Sequence, residues 1–163
     1  MHLTLCFLGE TDSTAVPHLA ALLHDLCAPE QPFELQLGPV GAFPHLAAPR
    51  VVWVGLEDAI DALTRLAGLI SSAVAPFRAA PESRPFHPHI TIGRTRGRAT
   101  YAERQRVGRV LHGMPAAPPV AWTVDRVVLF ESQMAEGLRS YQGLARAKLG
   151  EGKGGYHPPS SSI

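Results

Sequence analysis

The sequence predicts an α+β fold, two pseudo-symmetric lobes of sheet and helix set around a central cleft, and three observations carry that reading. A short phrase occurs twice, as His2-Leu3-Thr4-Leu5 and as His89-Ile90-Thr91-Ile92. Each copy opens a similar run of strand and helix patterns, so the two halves read as copies of one unit related by a pseudo-two-fold. At 163 residues the chain suits one domain, or two small lobes sharing a cleft, with a substantial core.

The elements follow in order. In each copy of the phrase a His and a Thr alternate with aliphatic residues, so in a strand both polar groups leave one face while the aliphatics bury the other. The first strand is expected from His2 to Leu8. Glu10-Thr11-Asp12-Ser13 then supplies capping residues. Val16, Leu19, Leu22, Leu23 and Leu26 recur at helical spacing, with Pro17 tolerated only in the first turn. Phe33-Glu34-Leu35-Gln36-Leu37 alternates as a strand, and beyond a Pro-containing loop Val51-Val52-Trp53-Val54 is another. Glu57 and Asp58 lead a helix with Ile60, Leu63, Ala67, Ile70 and Val74 on one side, acidic where the helix dipole favours it. The second copy gives a strand from His89 to Arg94. Thr100 and Glu103 form a capping-box pattern that starts a further helix, and strands follow near Val120 to Phe130 and Ser140 to Leu149. A single bilobal domain is expected over residues 1–149, and the Gly-, Pro- and Ser-rich stretch 150–163 reads as a disordered tail.

Two imidazoles and two hydroxyls define a chemistry. Displacement at phosphorus needs one group to take a proton from the nucleophile and another to give one to the leaving oxygen, and a pair of histidines does both without a metal. A Thr two residues along can donate to a phosphate oxygen and hold phosphorus between the rings. The arrangement suits cyclic phosphodiesters. The bland alternative is two edge strands, each with a satisfied histidine.

The stretches His2-Leu3-Thr4-Leu5-Cys6-Phe7-Leu8-Gly9-Glu10 and Phe86-His87-Pro88-His89-Ile90-Thr91-Ile92-Gly93-Arg94 resemble the extended signatures of the two-histidine phosphoesterases, and within them the bacterial RNA 2′,3′-cyclic phosphodiesterases, historically called 2′-5′ RNA ligases. Val127 to Ser132 and the segment from Gly137 to Leu144 resemble that family's closing hairpin. The resemblance implies two lobes of mostly antiparallel sheet with outer helices. It implies hydrolysis of an RNA terminal 2′,3′-cyclic phosphodiester to a 2′-phosphomonoester, with His2 as general acid toward the departing O3′ and His89 as general base toward water. Thr4 and Thr91 match its phosphate-contacting hydroxyls, Arg94 its phosphate-gripping arginine, and Phe7 its base-stacking aromatic. The family has a strand and a helix ahead of its first motif, whereas here the motif begins at residue 2. Either upstream residues are missing or the first lobe lacks a piece, and the strand from His2 is then a terminal one, prone to fraying and short of a sheet neighbour.

Strict alternation places Phe7 and Arg94 on the core face, opposite the histidines. Both strands must therefore bend or bulge, and Gly9 and Gly93 are the residues expected to allow it. Phe7 is equally well read as a core aromatic. A buried unpaired guanidinium at Arg94 would be costly.

A net charge of +1 gives no support for bulk nucleic-acid binding. Arg84, Arg94, Arg96, Arg98, Arg104, Arg106 and Arg109 nevertheless crowd one stretch against Glu103, either as a collar that draws RNA phosphates toward the second motif or as an ordinary solvated face. Cys6 and Cys27 form no framework, which suits a reducing cytoplasm, and no apolar run is long enough to cross a bilayer. His87, two before His89, makes a conceivable metal pair, but no third ligand has a recognisable spacing, so neither metal nor cofactor is expected. His18, His24, His45, His112 and His157 read as surface residues. Expected partners are RNA ends or nucleotides bearing a 2′,3′-cyclic phosphate, no membrane, and a monomeric state. A related enzyme acting on a small cyclic nucleotide or other small diester would use the same residues. A non-catalytic RNA- or nucleotide-binding module would not need two intact His-x-Thr phrases.

Overall fold

In the computed structural model residues 2–80, 85–114, 118–135 and 138–151 are described. Arg84, Gly137, His157 and the tail beyond Glu151 lie outside them. Nine α-helices and β-strands are assigned among the described residues: α1 (Val16–Cys27), β1 (Phe33–Phe43), β2 (Val51–Glu57), α2 (Ile60–Ala73), β3 (His89–Arg94), α3 (Tyr101–His112), β4 (Ala121–Val124), β5 (Arg126–Ala135) and β6 (Leu138–Lys148). One sheet has the order β3-β2-β1-β4, with β2 antiparallel to both neighbours, and the other is the antiparallel pair β5-β6. The α+β class is as expected.

Contacts divide the chain into two units. Met1–Leu5, Glu34–Thr64 and Pro85–Trp122 make the first, and Cys6–Phe33, Arg65–Arg84 and Thr123–Ile163 make the second. Each unit draws on both halves of the sequence, where the repeat pattern suggested one copy per half.

In the first unit Ala42, Val52, Val54, Leu56 and Ile90 form the buried face of the larger sheet. β1 corrects the expected end at Leu37, because the strand continues through Pro39 to Phe43. Its register against β2 shifts between Leu37 and Val40, and a proline lacking an N–H is tolerated at such an irregularity. α3 starts where expected: the Thr100 hydroxyl accepts from Glu103 N at 3.3 Å and the Glu103 carboxylate accepts from Thr100 N at 2.7 Å. Gly108 lets α3 approach the chain after β1 closely, since a Cβ there would lie 2.3 Å from the Leu46 carbonyl oxygen.

In the second unit α1 packs against β5 and β6, burying Leu19, Leu23 and Cys27 while the ribbon buries Val127 and Ala147. Asp12 caps a short 3-10 turn, Ser13–Ala15, that leads into α1, accepting from Thr14 N at 2.8 Å. The expected closing hairpin is present as β5 and β6, with Leu149 N bonded to Asp125 O at 2.8 Å across its open end. The Cys27 thiol is pushed up to about 11, by burial first and then by the Glu30 carboxylate.

The expected first strand is not formed. Residues 2–8 carry no assigned secondary structure, and the reason is that a strand exists only through a ladder, which a local pattern of alternating residues cannot supply by itself. Gly9, the residue expected to let that strand bend, has a φ of +77°, in the left-handed region, but there is no strand there for it to bend.

Gly68 lies on the exposed side of α2, and a Cβ there would meet nothing within 4 Å. Gly68→Ala should therefore raise stability by about 0.5–1 kcal/mol, through helix propensity alone. Chemical denaturation checks this, and a loss of stability would mean that the helix face is covered.

Candidate active site

β3 is short, and its sequence explains its placement: Ile90 is buried on the core face opposite Val54, while His89 pairs with Gly55 and Thr91 with Trp53. Beyond Thr91 the register shifts. Val52 pairs with Gly93 and Val51 with Arg94, so Ile92 has no opposite residue. This is a β-bulge of one residue. Cross-strand partners share a face, and Val51, Trp53 and Gly55 alternate onto one face of β2. His89, Thr91 and Arg94 therefore share that face, and Arg94 is exposed there.

The expectation of a bulge is thus met, but not at Gly93. Gly93 does not have a positive φ and a Cβ there would meet nothing within 4 Å, so the glycine's freedom is unused. The unpaired residue is Ile92, which is 47% exposed.

Two aromatic residues that the sequence reading left unassigned belong to the same face. Gly41 pairs with Trp53 and Phe43 with Val51, and the Phe43 and Trp53 ring centroids are 5.3 Å apart. Phe43 meets the His89 ring edge-on at 5.3 Å, and Trp53 lies 6.0 Å from it. Gly41 makes room for the indole, since a Cβ would lie 2.1 Å from Trp53 Cη2. The signal for these residues is cross-strand register, which no local stretch of sequence contains.

His89 Nδ1 is 2.6 Å from the His87 carbonyl oxygen. A carbonyl only accepts, so Nδ1–H is the donor and Nε2 is the nitrogen left for proton transfer. The His87 ring sits 4.9 Å from Trp53 and 5.5 Å from Phe43. Among the described residues no group of three or more His, Cys, Asp or Glu side chains is gathered for a metal.

His2 and Thr4 are half-buried and belong to the same unit as His89, Thr91 and Arg94. Burial holds the His2 imidazole below its usual range. Phe7 belongs to the second unit and is 56% exposed, so it is not a core aromatic. Part of the arginine stretch serves α3 itself: Arg104 donates to Ala99 O at 2.7 Å and lies over the Tyr101 ring at 5.9 Å. Thr100 hydrogen bonds hold the Glu103 carboxyl below the usual range, helped by Arg106 and Arg96. His18, His45 and His112 are exposed, and His24 lies 3.5 Å from Asp25.

A family model described as the 2′-5′ RNA ligase superfamily matches residues 1–135. The RNA 2′,3′-cyclic phosphodiesterase of Geobacillus stearothermophilus is 32% identical over 134 residues, covering 82% of this chain and 40% of that protein. The chain thus spans less than half of that relative's length. A crystal structure of a Thermus thermophilus protein superposes with a TM-score of 0.70 at 30% identity, over 94% of this chain and 79% of that one. The structure of E. coli LigT complexed with 3′-AMP gives 0.67 at 30% identity, over 91% and 76%.

Gly41→Ala should unseat Trp53. Overpacking of this kind costs about 1–3 kcal/mol, and the change should also appear in the near-ultraviolet circular dichroism of the folded protein. A variant with unchanged stability and spectrum would mean that the indole has room to move aside.

Proposed function

The chain belongs to the 2′-5′ RNA ligase superfamily, and from that premise we propose that it hydrolyses the terminal 2′,3′-cyclic phosphodiester of RNA to a 2′-phosphomonoester. The observation that carries the reading is the bulged strand, which puts an imidazole, a hydroxyl and a guanidinium on one sheet face. Water attacks phosphorus as His89 Nε2 takes its proton. The P–O3′ bond breaks as His2 gives a proton to O3′, leaving a 2′-phosphate and a 3′-hydroxyl. Acid and base must act on opposite sides of phosphorus, because attacking and leaving oxygens lie in line. Thr4 and Thr91 donate to phosphate oxygens, and Arg94 grips two of them with its planar fork. Exposed Phe7 is the aromatic assigned to stack on the terminal base.

The reading makes the protein a monomer of the cytoplasm that acts on RNA ends. Two free cysteines are compatible with that compartment, and no helix among the described residues is long and apolar enough to cross a membrane. A second reading, hydrolysis of a small 2′,3′-cyclic nucleotide by the same residues, draws on the 3′-AMP complex of E. coli LigT, whose ligand is a single nucleotide. Product analysis on an oligonucleotide ending in a 2′,3′-cyclic phosphate, beside the cyclic mononucleotides, separates the two.

In that assay, run with a chelator present, His2→Ala and His89→Ala should each lower the rate more than about a hundredfold. The double variant should be little worse than either single one, because the pair works as a unit. Thr4→Ala and Thr91→Ala should be milder, and Arg94→Lys impaired by loss of the bidentate fork. A 3′-phosphate product would exchange the roles of His2 and His89. Activity lost with the chelator and restored by zinc or manganese would overturn the metal-free mechanism.

The pH profile should be bell-shaped, since the productive form has His89 neutral and His2 protonated. Burial lowers His2 in the free protein, so His2 loses its proton at a lower pH than an ordinary imidazole. A bound phosphate anion favours the imidazolium and opposes this. The alkaline limb of kcat should therefore lie at higher pH than that of kcat/KM. A kcat profile whose two limbs both coincide with those of kcat/KM would show that no bound charge acts on the pair.

A further inference from the structure

His87 has no role in the proposed reaction, yet it joins two features of the site. Its ring meets the Trp53 ring at 4.9 Å with planes 70° apart, and the Phe43 ring at 5.5 Å and 70°. Its carbonyl accepts the Nδ1–H of His89 at 2.6 Å. The residue between them is Pro88, which restricts the backbone of His87 to extended conformations.

The indole beneath is held by the strand and not by its polar atom. Trp53 lies across Gly41, and its Nε1 is buried without a hydrogen-bond partner among the described residues. A phenylalanine at this position would avoid an orphaned N–H. The wider indole, however, reaches both imidazoles, at 4.9 Å and 6.0 Å.

We propose that Trp53, Phe43 and His87 form an aromatic brace that positions His89: packing of the His87 ring fixes the His87 carbonyl, which keeps the proton on Nδ1 of His89 and the lone pair on Nε2. His87 is a positioning residue, acting through its ring shape and its backbone oxygen. Its own proton takes no part, so an aromatic ring without titratable nitrogens serves as well. Without the brace the carbonyl can swing away, and His89 falls back to the tautomer mixture of an unconstrained imidazole, in which Nε2 carries the proton in part of the molecules.

The inference rests on His89 being the base, and its test reads the ring directly. Imidazole nitrogen NMR on the full chain, taken where His89 is neutral, should show the Nδ1–H tautomer in the wild type. His87→Ala, a change at an exposed residue, should turn this into a mixture, whereas His87→Phe should retain the single tautomer. Trp53→Leu should resemble His87→Ala. In turnover His87→Ala should lower kcat about tenfold with KM little changed, as loss of a correctly oriented base does, and His87→Phe should restore most of it. A folded His87→Ala protein that keeps the Nδ1–H tautomer overturns the brace. A wild type that shows no hydrolysis but loses its tautomer in His87→Ala refutes the proposed reaction and leaves the brace standing.

Discussion

The unpaired Ile92 decides which side chains share a face with His89. With strict alternation Arg94 would project onto the side of the sheet that buries Val52, Val54 and Ile90. A guanidinium there would have to be desolvated, and no carboxylate is buried among the described residues to meet it, a cost of several kcal/mol. One extra residue in β3 removes that conflict, because everything beyond it changes sides: Gly93 then faces Val52, and Arg94 pairs with Val51 on the outer face. The same displacement leaves Ile92 partly in solvent, a modest loss for an aliphatic side chain. Burial energetics therefore selects the register, and the register assembles the site.

A second constraint is the stiffness of His87-Pro88-His89. Proline fixes its own φ and narrows the choices of the residue before it, so the carbonyl that meets His89 Nδ1 belongs to the least free stretch of the motif. A carbonyl can only accept, so the tautomer of His89 follows from the chain direction and needs no carboxylate. On the opposite face of the strand, Ile90 is held by the core at 9% exposure. His89 is thus anchored through its neighbours on both sides.

Much of this was legible locally. α1 and α2 were marked by periodic apolar residues and α3 by its cap, and the Thr100–Glu103 box sits where its pattern placed it, because capping is settled within four residues. The strand His89–Arg94 and the need for a bulge in it were also legible, since a guanidinium five residues after a histidine cannot share its face in a regular strand. What was not legible depends on partners distant in sequence. His2 to Leu8 alternates as a strand should, yet alternation does not provide a ladder. Pro39 looks like a loop residue until β2 supplies the irregular register that accommodates it. Trp53 and Phe43 join the site only through pairings of β1 with β2 and of β2 with β3.

The two copies of the repeated phrase are alike in chemistry and unlike in structure, and the proposed roles match that asymmetry. A general base must be neutral and correctly oriented before the water arrives, so it gains from a ladder, a fixed carbonyl and flanking rings, all of which surround His89. A general acid must hold a proton that burial disfavours, as it does at His2. A bound phosphate anion favours the imidazolium and offsets that burial. In the proposed reaction substrate binding therefore favours protonated His2, whereas His89 Nδ1 already has its carbonyl partner in the protein alone.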